Sequence, residues 1–225
     1  MISKKWRSLA LRFVSRIDFN LLLLPQAKRN VTPGALRQIV LNCSSLREIG
    51  LNDVSPVDDS VLETIGKNHR LEKIDLGSCY RITDKGLSYV FSTSASRLTS
   101  ISLRFCASVT SQGVIALIQK CRGIRVLDLR GLTLLDDSVF PEFKKLPLLT
   151  SLDLSYCSKC TEFKELAFGC GDLRSLNLRV TKISDKDALL IMKHSPFLRD
   201  FNLWGCENVA QSTLNLARRL SEQTL

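Results

Sequence analysis

The chain has 225 residues, of which 44% are hydrophobic, so it can bury a sizeable core and is not a disordered polypeptide. No apolar run approaches the roughly 20 residues that a bilayer-spanning helix needs, and the longest, residues 21–24, ends at Pro25. The formal net charge of +10 is uneven, because residues 1–30 hold seven Lys or Arg against Asp18 alone. We expect a soluble protein that does not enter a membrane and carries no secretory signal.

The first 30 residues are basic and contain one short apolar pattern. A basic end can bind nucleic acid or an acidic partner, or it can be the solvated face of a helix, and charge alone does not separate these alternatives. Because little beyond Trp6 is available to stack on bases, nucleic-acid binding has little support. Val14, Ile17 and Phe19 form an apolar triplet that predicts an atypical first repeat or a cap.

From residue 46 onward the same triplet, spaced L-x-x-L-x-L, recurs seven times at intervals of 24 to 27 residues. Its first apolar residue, which we number position 1 of each repeat, is Leu46, Leu71, Leu98, Ile124, Leu149, Leu173 and Leu198. Positions 4 and 6 alternate with period two, which predicts a short strand with those side chains buried.

A second recurring phrase lies between the triplets and predicts the start of a helix. It occurs at residues 31–36, 82–87, 109–114 and 183–188. In each copy a Thr or Ser can cap the helix, and Asp84 and Asp185 in the first turn suit the helix dipole. Pro33 fits the first helical position, and residues 213–220 predict a last helix. One strand and one helix per repeat predict an α/β solenoid with a parallel concave sheet and convex helices.

Seven of the eight cysteines fall at repeat positions. Cys79, Cys106, Cys157 and Cys206 follow position 6 by three residues, and Cys43, Cys121 and Cys170 precede position 1 by three. Cysteine at such positions behaves as a small buried hydrophobe, which predicts free thiols and a cytoplasmic or nuclear location. Cys160 has no such position, and we expect it to be exposed.

The pattern C-x-x-L-x-x-L-x-L-x-x-C-x-x-I-T-D-x-G-L resembles the cysteine-containing leucine-rich repeats of F-box proteins, the substrate receptors of SCF-type ubiquitin ligases. Residues 2–10, ISKKWRSLA, resemble the closing helix of an F-box, although a basic capping helix is an alternative for this segment. The predicted division is residues 1–12 as an F-box remnant or cap and residues 13–225 as a solenoid of about seven to eight repeats.

The resemblance implies that the solenoid recognises a protein substrate for ubiquitination, with Trp6 near the ligase adaptor. A complete F-box needs some forty residues, and Met1 precedes only its last part. The chain is therefore expected to recruit the adaptor only if a full F-box lies upstream. The alternative is an F-box-less inhibitor or scaffold that binds a regulatory protein without leading to its degradation.

Catalytic and cofactor motifs are not found in the sequence. Neither a phosphate-binding loop nor a dinucleotide fingerprint occurs, and His69 and His194 stand where ordinary surface or turn residues belong. The single C-x-x-C at Cys157 and Cys160 has no second pair to complete a zinc site. We predict no enzyme activity, no cofactor and no bound metal.

Positions 3, 5 and 7 of each strand are predicted to point away from the core onto the concave face. The candidate partner-binding residues are Arg104, Phe105, Arg130, Tyr156, Arg179 and Trp204, all at positions 7 and 8. Arginine and aromatic side chains favour an acidic or phosphorylated protein segment. Alternatively, Asp75, Asp128 and Asp153 neutralise the arginines as lateral ion pairs, leaving only a solvated surface.

Overall fold

A computed structural model describes residues 14–19 and 31–222, and eight strands in this part of the chain form one parallel sheet ordered β1 to β8. The strands are β1 Arg16–Asp18, β2 Glu48–Gly50, β3 Lys73–Asp75, β4 Ser100–Ser102, β5 Val126–Asp128, β6 Ser151–Asp153, β7 Ser175–Asn177 and β8 Asp200–Asn202. Neighbouring strands pair in register, as in Ile17 with Ile49 and Leu176 with Phe201.

A helix follows every repeat strand from β2 to β8, and another precedes β2. The helices are α1 Pro33–Asn42, α2 Asp59–Ile65, α3 Asp84–Ser94, α4 Ser111–Lys120, a 3₁₀ helix Asp137–Lys145, α5 Lys164–Gly169, α6 Asp185–His194 and α7 Gln211–Glu222. Helices on one side of an open parallel sheet give the predicted α/β solenoid, whose free sheet face is the concave face.

The strand phase agrees with the predicted periodicity. The middle residue of each described strand, at position 4, is buried, whereas positions 3 and 5 are partly or fully exposed. The buried side chains of strands and helices form one continuous core. Burial of apolar surface against both neighbouring coils therefore holds the stack together.

The helix starts follow the predicted phrases. Thr32, Thr83, Thr110 and Ser184 are N-caps whose hydroxyl oxygens accept a hydrogen bond from a first-turn N–H. The fifth helical segment is a 3₁₀ helix because Pro141 lies inside it, and proline has no N–H to continue an α-helical ladder.

Both ends of the described region match the predicted elements. Ile17 and Phe19 are buried and β1 extends the sheet, so the first triplet forms a genuine coil. The predicted last helix corresponds to α7. The predicted N-terminal segment, residues 1–12, lies outside the described residues.

All eight cysteines are free and buried. The prediction that Cys160 is exposed is wrong, because its side chain is fully buried and its thiol lies 3.6 Å from the carbonyl oxygen of Leu135 in the preceding coil. Cys160 lies three residues after Cys157, just as Ile82 follows Cys79, so it occupies a buried repeat position. This spacing is visible in the sequence and could have predicted that Cys160 is buried.

Candidate functional site

The concave face presents the predicted residues at the carboxyl ends of neighbouring strands. At position 5, Asp75, Asp128, Asp153, Asn177 and Asn202 each accept a hydrogen bond from the backbone N–H of position 7, at 2.8 to 3.1 Å. Such a bond closes a tight Asx turn. The row of Asp and Asn residues is therefore structural, and it fixes the backbone from which the position 7 side chains project.

Arg130 is neutralised within the protein. Its Nη2 donates to Oδ2 of Asp153 at 2.7 Å, and its Nε donates to Oγ of Ser155 at 3.0 Å. The hydrogen bond to Asp153 raises the pKa of Arg130 above its ordinary value. Arg130 therefore forms the lateral ion pair that was predicted from the sequence as the alternative to partner binding.

Arg104 lies flat across the preceding coil. Its Nε donates to the amide oxygen Oδ1 of Asn52, two coils away, at 3.2 Å. The path crosses Gly77, where an added Cβ would lie 2.6 Å from that Nε. Glycine at this point leaves room for the arginine, which reaches a neutral amide rather than a carboxylate.

Arg179 lies between two aromatic rings contributed by its neighbouring coils. Its guanidinium carbon is 4.1 Å from the ring centroid of Trp204 and 5.6 Å from that of Tyr156, both within cation–π range. Trp204 is 61% exposed and Tyr156 is 36% exposed. The three side chains form a cluster, which we call the arginine–aromatic cluster, at the β8 end of the concave face.

Position 8 has a positive φ in the seven repeats that begin at residue 46, which fixes the direction of the exposed side chains there. The residues are Asp53, Ser78, Phe105, Gly131, Tyr156, Val180 and Gly205, with φ from 53° to 73°. The N–H of Phe105 and that of Tyr156 donate to position 7 carbonyls of the next coil, at 2.7 and 2.9 Å. These bonds hold aromatic residues in a backbone region that L-amino acids otherwise avoid.

Phe105 uses this turn to lie over the next coil. A Cβ at Gly131 would be 2.4 Å from the Phe105 ring, so glycine permits that approach, and Phe105 remains 43% exposed. The structure thus brings Tyr156, Arg179 and Trp204 together, while the Phe105 ring lies at Gly131 and Arg104 turns toward Asn52.

Sequence reasoning missed a cleft beside the arginine–aromatic cluster. It has a volume of about 390 Å³ and lies between β8 and α7, walled by Phe201, Leu203, Trp204, Leu214, Ala217 and Arg218. No local pattern indicates it, because it depends on how α7 lies across the end of the sheet.

Trp6, the predicted adaptor contact, lies outside the described residues. Within residues 14–19 and 31–222, no helix is long and apolar enough to cross a bilayer. No group of three metal-ligating side chains occurs in that same region.

Comparison with known proteins supports the repeat and the fold. A model of the leucine-rich repeat matches residues 67–91. An internalin, InlF of Listeria monocytogenes, matches with a TM-score of 0.63 and 15% identity over 92% of this chain and 52% of its own. Internalin C2 of the same bacterium matches with a TM-score of 0.59 and 17% identity over 87% of this chain and 83% of its own.

A third similar structure is the yeast Rad7 and Elc1 complex, with a TM-score of 0.58 and 20% identity over 83% of this chain and 42% of the matched chain. The present chain therefore spans about half or less of the matched Rad7–Elc1 and InlF chains. The fold is that of a leucine-rich-repeat solenoid.

Proposed function

We propose that the protein binds another protein through its concave face and is the substrate-recognition part of an SCF-type E3 ubiquitin ligase. The observation that carries the binding role is the arginine–aromatic cluster. Trp204 and Tyr156 expose large rings that the core does not require, and Arg179 lies between them. Trp, Tyr and Arg are the residues most enriched among interface anchors.

The ligase role is supported by sequence resemblance. The cysteine-containing repeats and residues 2–10 resemble F-box receptors, and a chain with this fold occurs in the yeast Rad7 and Elc1 complex. A receptor of this kind acts in the cytoplasm or nucleus, and eight free buried cysteines suit a reducing compartment.

Affinity purification from native cells tests both parts of the proposal. The native protein should recover a target protein, and it should also recover the ligase adaptor if a full F-box lies upstream of Met1. Trp204→Ala should weaken target binding by about tenfold, equivalent to about 1.4 kcal/mol, and leave adaptor recovery unchanged. Trp6→Ala should reduce adaptor recovery and leave target binding unchanged.

Lys120→Glu, an exposed change in α4, is the control and should bind both partners as wild type does. Recovery of a target without the adaptor would support a scaffold or inhibitor in place of a ligase receptor. If Trp204→Ala and Arg104→Ala bind the target normally while Lys120→Glu does not, the concave face is not the binding surface.

A further inference from the structure

The three arginines at position 7 of the concave face differ in how their charges are balanced. Arg130 forms an ion pair with Asp153, and Arg104 donates to the neutral amide of Asn52. Arg179 forms no ion pair and no side-chain hydrogen bond with any residue in the described ranges, and its Nε is buried without a partner. A buried donor that has no hydrogen-bond partner is energetically unfavourable.

No local carboxylate is placed to satisfy Arg179. Position 5 on its own strand is Asn177, and position 5 on the next strand is Asn202. Asp153, on the preceding strand, already accepts hydrogen bonds from Arg130 at 2.7 Å and from the Asn177 amide at 2.9 Å. Within the described residues, Arg179 therefore has no carboxylate partner, and its charge is available to an anionic group of a binding partner.

The two aromatic rings determine how such a group can approach. Because Trp204 lies 4.1 Å from the guanidinium carbon, one face of the planar group is covered. Tyr156 limits movement toward the preceding coil. Because Nε is buried, an incoming carboxylate or phosphate would pair with the N–H groups of Nη1 and Nη2, whose planar arrangement matches its two oxygens.

The cleft that shares Trp204 with the cluster adds a second site of mixed character, in which Asn202 and Arg218 line the wall together with apolar side chains. Trp204 forms part of its wall, and Phe201, Leu203 and Ala217 are almost fully buried beneath it. Its volume of about 390 Å³ falls within the range of roughly 300 to 1,000 Å³ typical of ligand pockets. Arg218 on the α7 side gives the cleft a second cation.

We propose that Arg179 is the anion anchor of the binding surface, and that it receives an acidic protein segment in which a large apolar residue lies beside the anionic one. The anionic group pairs with the guanidinium edge, and the apolar side chain enters the cleft between β8 and α7. Arg130, neutralised by Asp153, is a structural residue of the same face. This inference rests on the proposed function, since it specifies the partner chemistry of that surface.

Selection from a peptide library tests this chemistry. A library of randomised twelve-residue peptides is selected on the purified 225-residue protein. Enriched peptides should pair Asp or Glu with a neighbouring aromatic or large aliphatic residue. Arg179→Gln should weaken the best peptide by about tenfold or more, whereas Arg130→Gln, at the same repeat position, should change it less than about threefold.

Arg179→Lys separates geometry from charge. It keeps the positive charge but lacks the planar fork, so it should weaken peptide binding by about threefold or more. If Arg179→Gln lowers the denaturation midpoint of the protein, Arg179→Lys replaces it as the test of peptide binding. Resynthesis with Gln for the acidic residue should weaken binding to a similar extent as Arg179→Gln, and resynthesis with phosphoserine shows whether phosphate or carboxylate is preferred.

Several outcomes would overturn the inference: no enriched peptide, enriched peptides without an acidic residue, or equal losses in Arg130→Gln and Arg179→Gln. Measuring how the variants bind the native target shows whether only the anion-anchor inference fails or the proposed function fails as well. If Trp204→Ala loses the target while both Arg179 variants keep it, the concave face binds the partner without the anion anchor. If all these variants keep the target, both proposals fail.

Discussion

Each strand from β2 to β7 contributes one side chain, at position 4, that packs between two neighbouring coils. Leu152 in β6 is 1% exposed and pairs in register with Leu127 on one side and Leu176 on the other. Ser151 precedes it in the same strand and is partly exposed on the concave face. The period-two pattern predicted this division because strand side chains alternate between faces.

Leu152→Ala should lower the free energy of unfolding by roughly 2 to 5 kcal/mol, because a cavity would form between two coils. Ser151→Ala is the matched control and should change it by less than about 0.5 kcal/mol. Equilibrium urea unfolding followed by circular dichroism measures both. Equal losses in the two variants would mean that the strand phase is wrong.

Side-chain pairing on the concave face could not be predicted at the residue scale. The sequence placed arginines and aspartates in adjacent rows, but either lateral neutralisation or partner binding fitted that pattern. Arg130 meets Asp153, while Arg179 lies against Trp204 and Tyr156, since Asn177 replaces an aspartate on its own strand. Rotamers and cross-strand distances decide between these outcomes.

At the scale of the element, the helix-start phrase joins neighbouring coils. Asp59 in the first turn of α2 accepts two hydrogen bonds from Thr83, from its N–H at 2.8 Å and its hydroxyl at 2.7 Å. Asp84 does the same for Thr110, at 2.9 and 2.6 Å. The sequence predicted the caps and the favourable helix dipole, but it did not predict that each aspartate bonds the cap of the next coil.

Gly86 leaves space for this aspartate. A Cβ there would lie 2.1 Å from Oδ1 of Asp59, so Gly86→Ala must displace the carboxylate that holds Thr83. We expect the free energy of unfolding to fall by about 1 to 2 kcal/mol, the range for losing a cap interaction. Thermal unfolding monitored by circular dichroism measures the change.

Gly34→Ala is the matched control for Gly86→Ala. Gly34 lies in the first turn of α1, where an added Cβ would come no nearer than 3.9 Å to the Thr32 hydroxyl. Alanine there should be neutral or stabilise by up to about 1 kcal/mol, because it is a better helix former than glycine. A stabilising Gly86→Ala would show that the inter-coil bonds contribute little.

At the scale of the whole molecule, the solenoid is a stack in which each coil packs its core against that of its neighbours. The repeat interval and the strand phase were enough to predict this architecture. The 3₁₀ helix at residues 137–145 and the cleft between β8 and α7 were not predicted, since one depends on a proline within a single repeat and the other on the packing of α7. A repeat pattern predicts the features that all coils share, so features found in one coil only could not be predicted from it.

The eight buried cysteines report on the stability of the stack from coil to coil. Burial raises the pKa of Cys106 and of Cys157 to about 12. At pH 8 such a pKa leaves only about one thiol in ten thousand ionised, and the thiolate is the reactive form. Alkylation of Cys106 and Cys157 in the folded protein is therefore limited by local opening of their coils.

In native buffer at pH 8, we expect all eight cysteines to alkylate slowly and none to be in a disulfide. Cys206 should become reactive at a lower urea concentration than Cys106 or Cys157, because its coil follows β8, the edge strand of the described sheet, and has one strand neighbour instead of two. Pulsed alkylation followed by peptide mass spectrometry measures each site. Rapid labelling of Cys160 in native buffer would contradict its burial. Two or more disulfides would contradict the proposed cytoplasmic or nuclear location. If Cys206 and Cys106 became reactive at the same urea concentration, the stack would unfold as one cooperative unit.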